Sequence, residues 1–338
     1  MSNCMEKYIK ESVFEKLQFK FCKKMIKMTK NYKKVGIIYD GTKEVDWAIS
    51  SFRKDFRKRG VSTILFDANS IDSISPAESI ETSSIPEVEK CVEEGYNVWM
   101  NRVYPSESSK QTIHKSLNLV SWLGSRNYVT INPLTACAAD YDKDFAYKMM
   151  KKYEIPTPKT ELITGDTKLE TILEEFALPL ILKKNTGGKG MNVTKINNLE
   201  KLKAILQKKE ILSGKYLIQE FAKPIVDFDV RIGVIDGNPL ISYARTLVDK
   251  GDSGELWMGS CHHGSRIIEY KPSEEEKRLA VLASNAIGAK LNEVDIQITK
   301  NGPVIIENNP TPGYDEGEER WIELITTYIF DNHLQNGN

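Results

Sequence analysis

Residues 33–68 set two short apolar strands, "KKVGIIYDG" and "VSTILFDA", on either side of an amphipathic segment. That order leaves few folds open. In "VDWAISSFRKDFRKRG", Trp47, Ile49, Phe52 and Phe56 recur near helical spacing, and Gly60 supplies a stop. Strand, helix and strand at this distance form a βαβ unit in a parallel sheet. Further strands are predicted at "YNVWMNRVYP" and "YVTINP", with a helix at "HKSLNLVSWLG" between them. Residues 71–90 are rich in Ser, Glu and Pro and read as a loop. An α/β unit over 33–133 is expected.

The pattern then changes. "DYDKDFAYKMMKKY" reads as a helix ended by Pro156 and Pro158. A strand at "LPLILKK", a helix over 198–209 and a run of strands through "KYLIQEFAKPIVDFDVRIGVIDGNPLISYARTL" follow, with a hairpin turn at Asp236-Gly237. A helix near 274–290, a hairpin across Asn301-Gly302 and a last helix near 318–330 complete the chain.

Composition excludes several function classes. Lysine plus arginine and aspartate plus glutamate each number 47 among 338 residues, so bulk electrostatic binding to nucleic acid is not expected. No apolar run reaches the roughly 18 residues of a membrane span. Five scattered cysteines without a C-x-x-C suit a reducing cytoplasm and give no zinc pattern. The basic segment 1–32 lacks an apolar signal core and a cleavage site. It reads as a helical extension packed on the body, with a membrane-surface or partner-binding helix as the alternative.

Four stretches concentrate chemistry. After the strand bearing Lys183, the run Asn185-Thr186-Gly187-Gly188-Lys189-Gly190 offers approachable backbone N–H groups and charge to an anion, though it lacks the Walker A spacing and would also serve as a surface hairpin. Gln219-Glu220, at a strand end, offers backbone groups to a purine or is simply solvated. Asp229 and Arg231 share a strand face by the period-2 rule, and Arg245 lies in the partner strand. Guanidinium groups so placed suit phosphate or acyl phosphate, or form a cross-strand ion pair. Finally, "EVDIQITKNGPVIIENNPTPGY" brings Asp295, Glu307 and Asn309 together around one hairpin. All three are hard oxygen donors of the kind magnesium takes, unless they merely cap the hairpin end.

The order of these stretches over about 133–330 resembles the ATP-grasp superfamily, most closely its RimK-type and glutathione-synthetase-like carboxylate–amine ligases. The resemblance implies an α/β (α+β) chain. A pre-ATP-grasp domain at 33–133 precedes a central subdomain at 134–215 and a C-terminal subdomain at 216–338, with ATP between the last two. It implies that Lys143 and Lys183 meet the nucleotide, that residues 185–190 form a small lid over its phosphates, and that Gln219, Glu220, Phe221 and Ala222 hold adenine. "DFDVR" resembles the family's D-x-R, which assigns Asp229 and Arg231 to the nucleotide and substrate pocket and, with Arg245, to the transferring phosphoryl group. "VDIQITKNGPVIIENNPTPG" resembles the family's metal hairpin, which assigns Asp295, Glu307 and Asn309 to magnesium, or to manganese in its place.

Two departures stand out. Glu307-Asn308-Asn309 has a polar middle residue where relatives are apolar, and "LWMGSCHHGSRI" replaces an R-S-N and H-R-G-G run. His262, His263 and Arg266 are therefore expected at the amine-substrate end, in an altered form. The resemblance implies an ADP-forming ligase joining a small-molecule or peptide carboxylate to an amine, working as a dimer or tetramer. A ligase that crosslinks a ribosomally made precursor and an inactive nucleotide-binding protein are the alternatives.

Overall fold

The computed structural model describes residues 33–71, 83–188, 190, 192–248, 255–314 and 317–335. The expected N-terminal helix lies outside the described residues.

Strands β1 (Lys34–Tyr39), β2 (Ser62–Asp67), β3 (Val98–Asn101) and β4 (Val129–Ile131) form a parallel sheet in the order β2-β1-β3-β4. Helix α1 (Trp47–Lys58) joins the first two strands and buries Ile49, Phe52 and Phe56, as its spacing predicts. The expected loop over 71–90 is corrected in part, because α2 (Pro86–Glu93) begins inside it. Proline at the first helical position presets the backbone angle, while Val88 and Cys91 turn inward. Helix α3 (Lys110–Ser125) covers the same sheet, capped by Ser109.

The helix expected near residue 140 is two helices, α4 (Leu134–Tyr141) and α5 (Lys143–Lys152). Asp142 separates them. Its backbone is extended and its side chain accepts from the Phe145 N–H, so it caps α5 instead of continuing α4. Strand β5 (Thr160–Ile163) and helix α6 (Leu169–Glu175) follow; their short mixed pattern gave no sequence signal. β5 joins β6 (Leu180–Lys184), β7 (Val193–Ile196) and β8 (Tyr216–Glu220) in an antiparallel sheet ordered β5-β8-β6-β7, with α7 (Leu199–Leu206) and α8 (Lys209–Ser213) between β7 and β8.

The third sheet runs β11-β10-β9-β12-β13 and is antiparallel, from β9 (Phe228–Ile235), β10 (Asn238–Thr246), β11 (Ile267–Ile268), β12 (Leu291–Thr299) and β13 (Gly302–Asn309). Helix α9 (Glu274–Ala286) covers one face. The last helix, α10 (Glu319–Ile329), instead returns to the first sheet. Its Trp321, Ile322, Ile325 and Ile329 share one core with Val35, Ile37, Phe52 and Phe56.

Candidate functional site

On the face of the third sheet opposite α9, alternate residues of adjacent strands bring buried charged side chains together, while Gly233 further along β9 lies against Trp321 of α10. Register sets Arg245 opposite Asp229, Arg231 opposite Asp295, and Asp295 opposite Glu307. Period-2 alternation places Asp229 beside Arg231 on β9 and Glu293 beside Asp295 on β12. Arg231 consequently sits among three carboxylates. It pairs closely with Asp295, with Glu293 at 3.3 Å, and with Asp229 at 3.7 Å. Arg245 reaches Asp229 at 3.3 Å, Asp295 at 3.8 Å and the Gly259 carbonyl at 2.9 Å. A side chain at Gly259 would stand 2.0 Å from the Asp229 carboxylate, so only glycine lets that loop come so near.

A second cluster adjoins from the central sheet. Lys143 opens α5 and pairs with Glu307 at 2.6 Å while donating to the Gly187 carbonyl at 2.6 Å. It thereby ties the glycine-rich loop to β13. The Asn185 side chain accepts from the Asp144 N–H at 2.8 Å, anchoring the same loop to the start of α5. Lys183 projects from β6, is 6% exposed, and donates to the Tyr147 hydroxyl at 2.7 Å. That hydroxyl donates in turn to the Ile306 carbonyl on β13.

Burial and charge oppose one another throughout. Burial works against the charged form of Glu307, but Lys143 and then Lys183 outweigh it and hold the carboxyl below its ordinary range. Lys143 is likewise buried, and Glu307 raises it. Lys183 lacks so close an acid, so burial wins and brings it down to about 8. Burial pushes Asp229 up to about 6 against the pull of Arg231, and raises Glu293 in the same way. Asp140, near the end of α4, is pushed up to about 6 chiefly by burial, and its Oδ2 has no partner.

Gln219 is buried and donates to the Thr160 hydroxyl at 2.7 Å, whereas Glu220 is exposed at the end of β8. Phe221 and Ala222 are half-buried beyond it. The Phe221 ring lies edge-on to Trp257, and the Lys195 ammonium, paired with Glu255, sits 3.7 Å from its centroid. Of Thr186, Gly187, Gly188 and Gly190, it is Gly187 that meets Lys143, while an added Cβ would stand 3.4 Å from Ser106 at Gly188 and 3.4 Å from Ser260 at Gly190. Lys189 and the side chain of His262 lie outside the described residues. His263 and Arg266 are exposed near the edge strand β11, where the Arg266 carbonyl accepts from the Thr246 N–H and the Arg266 N–H donates to the Thr246 hydroxyl.

Among the described residues no three His, Cys, Asp or Glu side chains converge as a metal cage. Asp295, Glu307 and the Asn309 side chain nonetheless form a hard oxygen set, with Asn309 Nδ2 donating to Asp295 Oδ1 at 3.1 Å. Both carboxylates are held by cations, Arg231 and Lys143. This chemistry fits a small hard cation that keeps further positions for phosphate oxygens. Sequence reasoning missed Glu293, Tyr243, Tyr147 and Asp140. Period 2 from Asp295 points to Glu293, and helical spacing from Lys143 points to Tyr147, whereas Asp140 lies in α4 beyond the break at Asp142 and had no such signal. Tyr243, which donates to Glu293 at 2.8 Å, lies opposite Arg231 and had no signal of its own. Among the described residues no helix is long and apolar enough to cross a membrane.

Comparison with known proteins places the fold. The model of the RimK-like ATP-grasp domain matches residues 140–326. A protein named probable alpha-L-glutamate ligase, from Vibrio atlanticus, is 26% identical over 202 residues, 60% of this chain and 65% of that protein. The chain thus spans under two thirds of this relative's length. Among solved structures, a RimK domain ATP-grasp protein from Sphaerobacter thermophilus superposes with a TM-score of 0.59 at 17% identity, covering 88% of this chain and 98% of the other. The ATP-grasp ligase PsnB, complexed with a phosphomimetic variant of its minimal precursor, Mg and ADP, gives 0.62 at 16% identity, covering 89% and 99%. At these identities the two structures speak for the fold.

Proposed function

The chain belongs to the RimK-like ATP-grasp family, and from that premise we propose that it is an ADP-forming ligase. In this reading it activates a carboxylate as an acyl phosphate and joins it to an amine. The observation that carries the reading is the joining of two charge clusters through β13. Lys143 and Lys183 gather at Glu307, and Arg231 and Arg245 gather at the facing Asp295. Phosphoryl transfer asks a protein for alignment and for positive charge on the moving oxygens, and little covalent help.

Asp295, Glu307 and Asn309 would hold magnesium, which when bound would supply neutralisation of phosphate charge. Lys143 and Lys183 address the phosphate chain from the central sheet. The 185–190 loop lies over it, fixed to α5 through Lys143 and Asn185. Gln219 to Ala222 flank the adenine, with Phe221 supplying an apolar surface. Arg231 and Arg245 face the γ-phosphoryl group. A carboxylate oxygen attacks the γ-phosphorus and the bond to ADP breaks. The amine nitrogen then attacks the acyl carbon, the carbon–oxygen bond breaks, and phosphate and a proton leave. Loops 185–190 and 255–260 shield the acyl phosphate from water.

The printed name of the curated relative makes glutamate the first amino acid to try, against small-molecule and peptide partners. The test is ADP release with a panel of acids and amines, repeated with Glu307→Ala and Asp295→Ala. Release that needs one acid–amine pair and vanishes in both variants supports the reading. Near-normal release in either variant removes the metal assignment.

A further inference from the structure

The hairpin carrying Asp295, Glu307 and Asn309 is gripped from the first sheet, at the end where β12 begins and β13 finishes. Asn132 follows β4 and is 3% exposed. Its Oδ1 accepts from the N–H groups of Lys290 at 2.7 Å and Leu291 at 2.8 Å. Its Nδ2 donates to the carbonyls of Leu291 at 2.8 Å and Pro310 at 2.7 Å. A primary amide has two donor and two acceptor positions, and all four are spent on this one hairpin. Beside it, Arg102 follows β3, is 2% exposed, and donates to the Pro312 carbonyl at 2.7 Å. Its guanidinium is held over the rings of Phe52, Tyr104 and Tyr314, so its direction is fixed.

Neither side chain has a place in the chemistry above, and neither belongs to the sheet it holds. Their partners on the hairpin are Lys290, just before β12, its first residue Leu291, and the backbone one and three residues beyond Asn309. We infer that Asn132, assisted by Arg102, is a positioning residue for the metal hairpin. It fixes the separation of β12 from the strand end of β13, and with it the spacing among Asp295, Glu307 and Asn309. The inference rests on the ligase reading. It adds that the first sheet is a working part of the centre, since groups that orient ligands are commonly worth about 10–100-fold in metal affinity.

The experiment is calorimetric titration of ADP into the full chain, once with excess Mg2+ and once with EDTA, on the wild type, Asn132→Ala and Asn132→Asp. Asn132→Asp keeps the two accepted bonds and loses the two donated ones, so it separates the hold on the Leu291 and Pro310 carbonyls from the hold on the N–H groups. Arg102→Met, which frees the Pro312 carbonyl and also gives up the bond to the Tyr104 hydroxyl, carries the comparison if Asn132→Ala does not fold. The wild type is expected to bind ADP more tightly with Mg2+. The variants should lose about 10–100-fold of that gain while binding ADP in EDTA as the wild type does. A purely structural role would leave the gain intact and lower only the urea midpoint. That result overturns the inference, as does an equal loss with and without metal. A wild type that binds no ADP in either condition takes the ligase reading down as well.

Discussion

Glu307 and Lys143 offer the sharpest test of how the site is held together. Their charged atoms are 2.6 Å apart, with side chains 26% and 13% exposed. At that distance, in an effective dielectric near 20, the attraction is about 6 kcal/mol before the cost of removing both groups from water. Removing one member of a buried pair typically costs about 3–5 kcal/mol, because the other charge is stranded. The residual exposure argues for a loss at or just below the bottom of that range, about 2–3 kcal/mol. Glu307→Gln should therefore lose that much stability in urea unfolding, with an unchanged slope. Lys143→Met should do the same. The double variant removes both charges and should recover most of the loss, leaving a coupling energy of about 2 kcal/mol or more in the double-mutant cycle. Lys183 supplies a second readout. Glu307 is what raises it and Lys143 what lowers it further, so Glu307→Gln alone should drop Lys183 below its value of about 8. Single variants that lose under about 1 kcal/mol, or losses that simply add in the double variant, would refute this account of the pair.

Other outcomes follow from the same geometry. Arg231→Ala should lower turnover by about 10²–10³ with the fold retained, checked by ADP release and circular dichroism. Lys183 must be protonated to meet phosphate, and its proton leaves near pH 8, so kcat/KM for ATP should fall as pH rises through 8 in the free enzyme. Asp140 binds a proton in the folded state up to about pH 6 but only up to 3.8 when unfolded. Its contribution to stability therefore falls as pH rises between those values, and Asp140→Asn should flatten that stretch by about 3 kcal/mol in urea melts. At Gly233 an added methyl would stand 1.9 Å from the Trp321 indole, so Gly233→Ala should lower Tm by several degrees through overpacking of about 1–3 kcal/mol.

The strands were legible where period 2 ran unbroken. The βαβ start and the terminal hairpin fell where spacing put them, and so did the Asp236-Gly237 turn, where both residues have positive φ. The site residues on those strands inherited that clarity: once Asp229 and Arg231 shared a face, register alone brought Arg245 and Asp295 to them. What stayed hidden depends on packing at long range. Asn132 reads as one more polar residue at a strand end, because its four partners lie more than 150 positions away. Helix α2 hid behind a proline that resembles a breaker in isolation. Glu293 hid because a single acid beside Val294 suggests a solvated edge until Arg231 is placed opposite its neighbour.

Helix α10 has a bearing on how the chain comes to be folded. The first sheet is made early, yet Trp321, Ile322 and Ile325, which seal one of its faces, are translated long afterwards. Until they emerge, Phe52 and Phe56 have no complete cover, and the nascent chain must carry that greasy face unprotected. Chaperone demand during synthesis should therefore be set by the arrival of these late residues, and ribosome-bound chains halted before residue 319 should be markedly more open to proteases than those released after it.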